Sequence, residues 1–369
     1  MKSTFNRDQL AITIAISGIA LVPWCSTAHA DENFVQMYGI VDAAVGYVSD
    51  VSGHSSVREI PGTVADRFGL RGQEALGGNS YAIFTLENGF NVNDGTIGQG
   101  SSGTTRIFGR QAFVGLQFPA LTVTAGRQYD MMYDMFSYSA ASYLSPYWYR
   151  PGTAANLVGA NGSSADFDRL GGVRVDNSVK VSTSAIPGWT FSSMVGLGGQ
   201  PGTLSDGSTV SAGVRYQGKA LGVGAAYTNF KEADGTSNYV TWAVGSNYVI
   251  RSLTLTALYT STQYSRTSDS VKVFEAGVKY QFTPAVYVGA AYAFMLPNHD
   301  ASNVILRGNH NQAGIDIDYS FSKRTDVYAM AIYQRASGGN AAQIFILPST
   351  GIGGGSTQTL VAVGIRTRF

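Results

Sequence analysis

The chain has 369 residues, with 25 basic and 24 acidic side chains and a formal net charge of +1. Only 13% of its residues are charged, about half the usual share for a soluble domain, while glycine (45) and tyrosine (21) are abundant. Near-zero net charge offers no electrostatic footprint for nucleic acid. An aromatic share of 12% is not that of a disordered chain. One cysteine excludes a disulfide scaffold and a cysteine-based metal site. A mean hydropathy of +0.01 excludes a polytopic helical membrane protein.

The first thirty residues read as an export signal. Lys2 and Arg7 form a basic start, Leu10–Val22 is a 13-residue apolar core, and Ala28-His29-Ala30 is an A-x-A ending. Cleavage after Ala30 would remove Lys2, Arg7, Asp8 and Cys25. That takes two of the 25 basic and one of the 24 acidic residues, leaving a neutral, cysteine-free chain. Residues 31–369 are then a single domain.

From residue 34 onward, short runs rich in Val, Tyr, Thr, Ala and Gly alternate with turn residues, and no apolar helical stripe appears. In the first run Val35, Met37, Val41, Ala43, Val45 and Tyr47 share one face. Gln36, Tyr38, Asp42 and Gly46 share the other. The pattern predicts strands over 34–48, 63–74, 79–91, 104–118, 120–129, 169–182, 188–198 and 209–218. It continues over 220–230, 238–250, 252–264, 271–283, 285–296, 311–321, 325–336 and 357–369. That makes sixteen strands, an even number, and their connections alternate between short and long. Among the long ones are 49–62, 92–103, 130–168, 297–310 and 337–356.

This is the pattern of an all-β, antiparallel transmembrane β-barrel with short periplasmic turns and long outer loops. The expected strands are long enough for a tilted membrane span. Tyr47, Tyr81, Phe118, Tyr129, Tyr248, Tyr280 and Tyr333 are among the aromatics near strand ends, as interfacial girdles require. A membrane sheet tolerates no open edge, so 34–48 should pair with 357–369. Sixteen strands enclose water rather than a packed core.

The chain resembles the Gram-negative general porins, in particular the β-proteobacterial type. The resemblance is carried by Met37–Ala43, DRFGLRGQEALGG at 66–78, AIFTLENGF at 82–90 and IFGRQAFVGL at 107–116. TVTAGRQYD at 122–130, DNSVK at 176–180, YSFSKRTDVY at 319–328 and VGIRTRF at 363–369 continue it. It implies an outer-membrane location, a homotrimer, and a third loop folded into the lumen to narrow the pore. The longest connection, 130–168, is the candidate for that loop. The terminal strand ending on Phe369 resembles the signal read by the barrel assembly machinery.

Arg67 and Arg71 lie four apart on one strand, opposite Phe68 and Leu70. An arginine facing lipid at the bilayer midplane costs roughly 2–4 kcal/mol, so both should face the lumen. The same reasoning puts Arg106 and Arg110 together on one face of 104–118. The resemblance makes Arg67 and Arg110 constriction arginines. It offers Arg169 as a third, with Arg174 competing for that place. Arg127 resembles an arginine that serves subunit contacts in some members.

The enteric members carry two acids on the opposing loop, and the corresponding positions here are Ala140 and Leu144. The stretch 135–151 contains no acid and is crowded with aromatics, among them Tyr138, Tyr143, Tyr147 and Trp148. Asp130 and Asp134 precede it. Arginines facing few acids favour anions. The aromatic loop leaves open a stacking surface for a ring-bearing or sugar solute, or simple packing against the wall.

An outer-membrane barrel enzyme would need a nucleophile constellation. Beyond the leader the histidines are His54, His299 and His310, all in expected outer loops, and none stands in such a motif. An adhesin would lack an inward loop opposed by arginines. No catalytic residue, metal site or cofactor is expected. The expected partners are outer-membrane lipid and lipopolysaccharide, further copies of the chain, the barrel assembly machinery, and small ions and solutes.

Overall fold

A computed structural model describes residues 33–97, 106–144, 157–158, 164–165, 174–266, 270–298, 308–339, 341–344 and 354–369. The expected leader, Arg169, Tyr147, Trp148 and His299 lie outside the described residues. The strands are β1 (Phe34–Val51), β2 (His54–Pro61), β3 (Arg67–Gly77), β4 (Ser80–Gly89), β5 (Gln111–Gln117) and β6 (Leu121–Tyr129). Two short strands follow, β7 (Leu157–Val158) and β8 (Ser164–Ala165), then β9 (Arg174–Thr183), β10 (Trp189–Gly196) and β11 (Thr209–Gln217). The remainder are β12 (Leu221–Lys231), β13 (Asn238–Ile250), β14 (Leu253–Tyr264), β15 (Ser270–Thr283), β16 (Val286–Asn298), β17 (His310–Ser320), β18 (Thr325–Ala336) and β19 (Thr357–Arg368).

Apart from the β7–β8 ribbon, every strand joins one antiparallel sheet of 17 members. β2 and β3 lie end to end along β1, so together they form one interrupted stave. The barrel therefore has sixteen staves. It closes through β1 and β19, from Ile40 opposite Arg368 to Val48 opposite Leu360. Gly39 and Phe369 exchange backbone hydrogen bonds of 3.0 and 3.1 Å at the end of this seam. A side chain at Gly39 would collide with the Phe369 ring, its Cβ falling 2.2 Å from the ring.

The outer surface explains why these strands alternate as they do. Val361, Val363 and Ile365 on β19, and Ile315 and Ile317 on β17, are about half exposed, while the residues between them face inward. In water such a continuous apolar belt would drive association. In a bilayer it meets a matching solvent, and the closed ladder leaves no backbone group unpaired in lipid. Tyr47, Tyr248, Tyr280 and Tyr333 lie on this outer face, as girdle residues do. Tyr129 departs from that expectation and is buried inside. The β6–β9 register slips between Gly126 and Gln128, with the extra residue on β9 beside Asn177 at φ 50°.

Two expected boundaries need correction. Residues 49–62 are no loop: β1 runs on to Val51, turns tightly at Ser52-Gly53, and returns as β2. The stave then breaks at 62–66 before resuming at Arg67. The Asp42 carboxylate replaces the missing ladder, accepting from Thr63 Oγ1 (2.8 Å), Val64 N (2.9 Å) and the Tyr328 hydroxyl (2.8 Å). Gly62 is required there, because a Cβ would sit 2.1 Å from that carboxylate. Second, the strand expected from 104 begins only at Gln111. Arg106 and Arg110 therefore do not share a strand face. His310, expected in a loop, instead opens β17 and is buried.

Candidate functional site

The connection after β6 turns into the barrel. It begins with two 3-10 turns, Met131–Tyr138 and Ala140–Ser142. Met131, Met132 and Met135 are fully buried against the inner wall. The segment then crosses that wall through a series of polar anchors. Ser211 Oγ accepts from Met131 N (3.0 Å), Val223 O from the Tyr138 hydroxyl (2.9 Å), and Ser137 O from Asn247 Nδ2 (3.1 Å). Glu275 accepts from Ser139 Oγ (3.1 Å) and from Ala140 N. The Tyr143 hydroxyl meets Thr256 Oγ1 at 3.0 Å, and its carbonyl accepts from the Tyr287 hydroxyl at 3.0 Å.

Inward-facing glycines make room for this close approach. A Cβ at Gly224 would lie 2.5 Å from the Tyr138 ring, and one at Gly277 would lie 2.2 Å from the Tyr143 hydroxyl. Tyr138 and Tyr143 are thus seated against the wall. Burial pushes the Tyr138 hydroxyl up to about 12, so it stays a donor at physiological pH. Ala140 and Leu144, the positions of the missing acids, are buried as well.

Across from the seated loop, the staves β3–β6 and β9 carry a continuous polar wall. Arg67 is buried and Arg71 half-buried on the inward face, while Phe68 and Leu70 are exposed on the outer one. Arg71 forks onto Gln36 Oε1 at 3.0 and 2.7 Å and lies over the Tyr38 ring. The Tyr38 hydroxyl donates to Glu87 Oε2 at 2.9 Å. Glu87 Oε1 pairs with Arg110 Nε at 2.7 Å. Arg110 and Arg174 both donate to the Tyr129 hydroxyl, at 2.9 and 2.8 Å. Tyr129 stacks on Tyr133 of the inward loop, with ring centroids 3.9 Å apart.

Arg106 and Arg127 form a separate group, both paired with Asp176 at 2.8 and 2.6 Å. Arg127 also donates to the carbonyls of Gly109 (2.8 Å) and Arg174 (3.1 Å). Asp130 is buried. Asp134 is half-buried and lines the open space bounded by Arg67, Glu87, Tyr133, Lys180 and Arg215.

Sequence reasoning passed over Glu87, Lys180, Arg215 and Glu275. Their inward parity was readable, but nothing local said that they meet. It also passed over Arg366, on β19 beside the closure seam, which donates to Thr63 Oγ1 at 3.1 Å. There Arg366 bridges Asp318 (3.0 Å) and Asp326 (2.7 Å), and Asp316 and Asp318 share the buried inward face of β17.

The comparisons agree with this architecture. The profile of the Gram-negative porins matches residues 13–339. The chain is 26% identical to an outer membrane porin protein of Bordetella pertussis, over 95% of this chain and 98% of that one. It is 23% identical to the major outer membrane protein P.IB of Neisseria gonorrhoeae, over 88% and 92%. Among solved structures, an anion-selective porin from Comamonas acidovorans superposes with a TM-score of 0.76 at 23% identity, covering 92% of this chain and all of that one. A Salmonella typhi OmpF superposes with a TM-score of 0.61 at 20% identity, covering 91% and 98%. The closed sixteen-stave barrel, its lipid-matched belt, its inward loop and the family profile lead to one conclusion: the chain belongs to the Gram-negative porin family and is an outer-membrane channel for passive diffusion of small hydrophilic solutes.

Proposed function

We propose that this channel prefers anions and that its basic wall is the selective element. The observation carrying this is the composition of the space between wall and loop. Arg67, Arg110, Arg174, Lys180 and Arg215 stand in or beside it, against Glu87 and Asp134. The loop segment seated opposite brings no carboxylate beyond Asp134 up to Leu144. Charge focused in a narrow, low-dielectric neck outweighs the near-zero net charge of the whole chain. The name of the Comamonas relative is in keeping with this reading.

Arg67, Arg71, Arg110 and Arg174 are assigned to the constriction, with Arg106 and Arg127 as its outer support on Asp176. Glu87 tempers the wall by partly neutralising Arg110. A stacking slide for ring-bearing solutes is less well supported, because Tyr138 and Tyr143 turn to the wall and Tyr133 is committed to Tyr129. The channel is read as non-catalytic. The export signal at 1–30, a homotrimeric state, contact with lipopolysaccharide, and recognition of Phe369 by the barrel assembly machinery belong to the same proposal.

The reversal potential of the purified protein in a salt gradient across a planar bilayer tests it. A potential of the sign set by anions supports the reading, and one set by cations overturns it.

A further inference from the structure

The lumen holds a second inward feature, far along the chain from the loop after β6. Residues 341–344, in the connection between β18 and β19, are buried. Ala342 and Ile344 have no exposed surface and Gln343 retains 7%. They rest on the inward faces of the staves at the outer end of the closure seam. Val48, Ile60, Ile332 and Leu360 point inward there and are almost wholly buried, in the same cluster as Ile344. Their neighbours Val57, Tyr333 and Val361 face lipid. A porin wall at this height would ordinarily be polar, because it meets water. This one is apolar and covered.

A glutamine ladder fixes the cover. Gln312, Gln334 and Gln358 lie side by side on β17, β18 and β19. Gln334 Nε2 donates to Gln312 Oε1 at 2.8 Å. Gln334 Oε1 accepts from Gln343 N at 2.6 Å, and Gln358 Oε1 accepts from Ile344 N at 2.7 Å. The ladder is itself braced, because Gln358 Nε2 donates to the Asp50 carbonyl at the β1–β2 turn. Ala342 N donates to Gly355 O at 2.9 Å, and Gly355 N to Asp50 Oδ2 at 2.8 Å. The Gln343 and Ile344 amides are thus satisfied by side chains that would otherwise bind water, and the Ala342 amide by a backbone carbonyl. A buried amide network of this kind defines one position rather than many.

We propose that residues 341–344 are a second, fixed constriction element at the outer mouth, which screens solutes by size before the basic wall acts on them by charge. The segment fills part of the lumen's cross-section with a dry core. It brings no charged side chain, so it restricts by volume alone. This inference rests on the channel reading, and its test has one arm that does not depend on conduction.

The first arm is chemical. Ile344→Cys and Leu204→Cys are each made in the mature chain, which lacks cysteine once the leader is removed. Leu204 is 91% exposed in an outer loop. A membrane-impermeant maleimide should label position 344 at least about tenfold more slowly than 204, since reaction needs local opening. Adding Gln334→Ala and Gln358→Ala should abolish most of that protection. Equal labelling of 344 and 204 in the otherwise wild-type barrel overturns the seat. Heat-dependent gel mobility shows that each variant is a folded barrel.

The second arm is functional. Gln334→Ala/Gln358→Ala, without cysteines, should raise single-channel conductance by roughly a fifth to a half. It should also speed liposome entry of larger neutral sugars more than that of small ones, with the reversal potential unchanged. Released labelling with unchanged conductance and sugar entry would show that the segment restricts nothing, and overturns the proposal. Absence of any channel in the wild-type protein would instead overturn the channel reading, leaving the labelling result intact.

Discussion

Glu87 Oε1 lies 2.7 Å from Arg110 Nε, and both side chains are almost entirely withdrawn from solvent. Neither is isolated. Glu87 also accepts from Tyr38, and Arg110 also donates to Tyr129, which Arg174 shares. The pair therefore ties the first and third staves to the fifth and sixth, and it sets how much positive charge the wall presents. A buried carboxylate beside a guanidinium cancels much of its field locally.

Glu87→Gln should accordingly strengthen anion preference. The amide keeps most of the hydrogen-bond geometry and removes the charge. The reversal potential in a salt gradient should move further in the anion direction. The barrel should lose about 1–3 kcal/mol of stability, because Arg110 loses its charged acceptor. An unmoved reversal potential would mean that Glu87 is electrostatically silent to permeating ions.

Removing cations from the wall should act in the opposite sense. Arg67→Gln combined with Lys180→Gln and Arg215→Gln should reduce or reverse anion preference. The effect should be larger at 0.1 M than at 1 M salt, because the Debye length falls from about 10 Å to about 3 Å. Selectivity measured at both salt concentrations checks this. A loss independent of salt would point to altered pore shape.

The seat of the inward loop offers a steric test. Gly277→Val would drive side-chain atoms into the Tyr143 hydroxyl and the Ala140 methyl. The loop should leave its seat on β15 and β16, giving noisier channels and faster proteolysis within 130–168. Overpacking of this kind costs typically about 1–3 kcal/mol. Quiet channels with wild-type protease resistance would show that the loop is held elsewhere.

At the closure seam, Gly39→Ala should hinder barrel closure. The added methyl meets the Phe369 ring on one side and the Arg67 carbonyl on the other. Refolding into detergent should be slower, and the temperature at which the folded band is lost on gels should fall. Phe369→Ala combined with Gly39→Ala should recover part of the loss if the ring contact is its cause. No recovery would assign the cost to the backbone contact.

Much of the fold was legible in order along the chain. Alternation on β1 separated Val35, Met37, Val45 and Tyr47 from Tyr38 and Asp42, and the structure puts the first set outside. The cost of arginine in lipid is enough by itself to turn Arg67 and Arg71 inward. The stave break at 62–66 was not legible, since it depends on Asp42, Asp66 and Tyr328 meeting across the seam. Nor was the burial of Tyr129, whose partners Arg110, Arg174 and Tyr133 meet it only in the folded barrel.

By itself, then, the sequence determined a weakly charged chain of sixteen amphipathic staves, because strand period and lipid exclusion act residue by residue. Its near-zero net charge was equally plain, and uninformative about the pore. Only the tertiary structure decided which charges meet. Glu87 reaches Arg110 over 23 positions, Arg174 shares Tyr129 with it from 45 positions away, and Glu275 holds Ala140 across 135. Coulomb and hydrogen-bond energies depend on distance in space, and barrel closure sets that distance, not chain order.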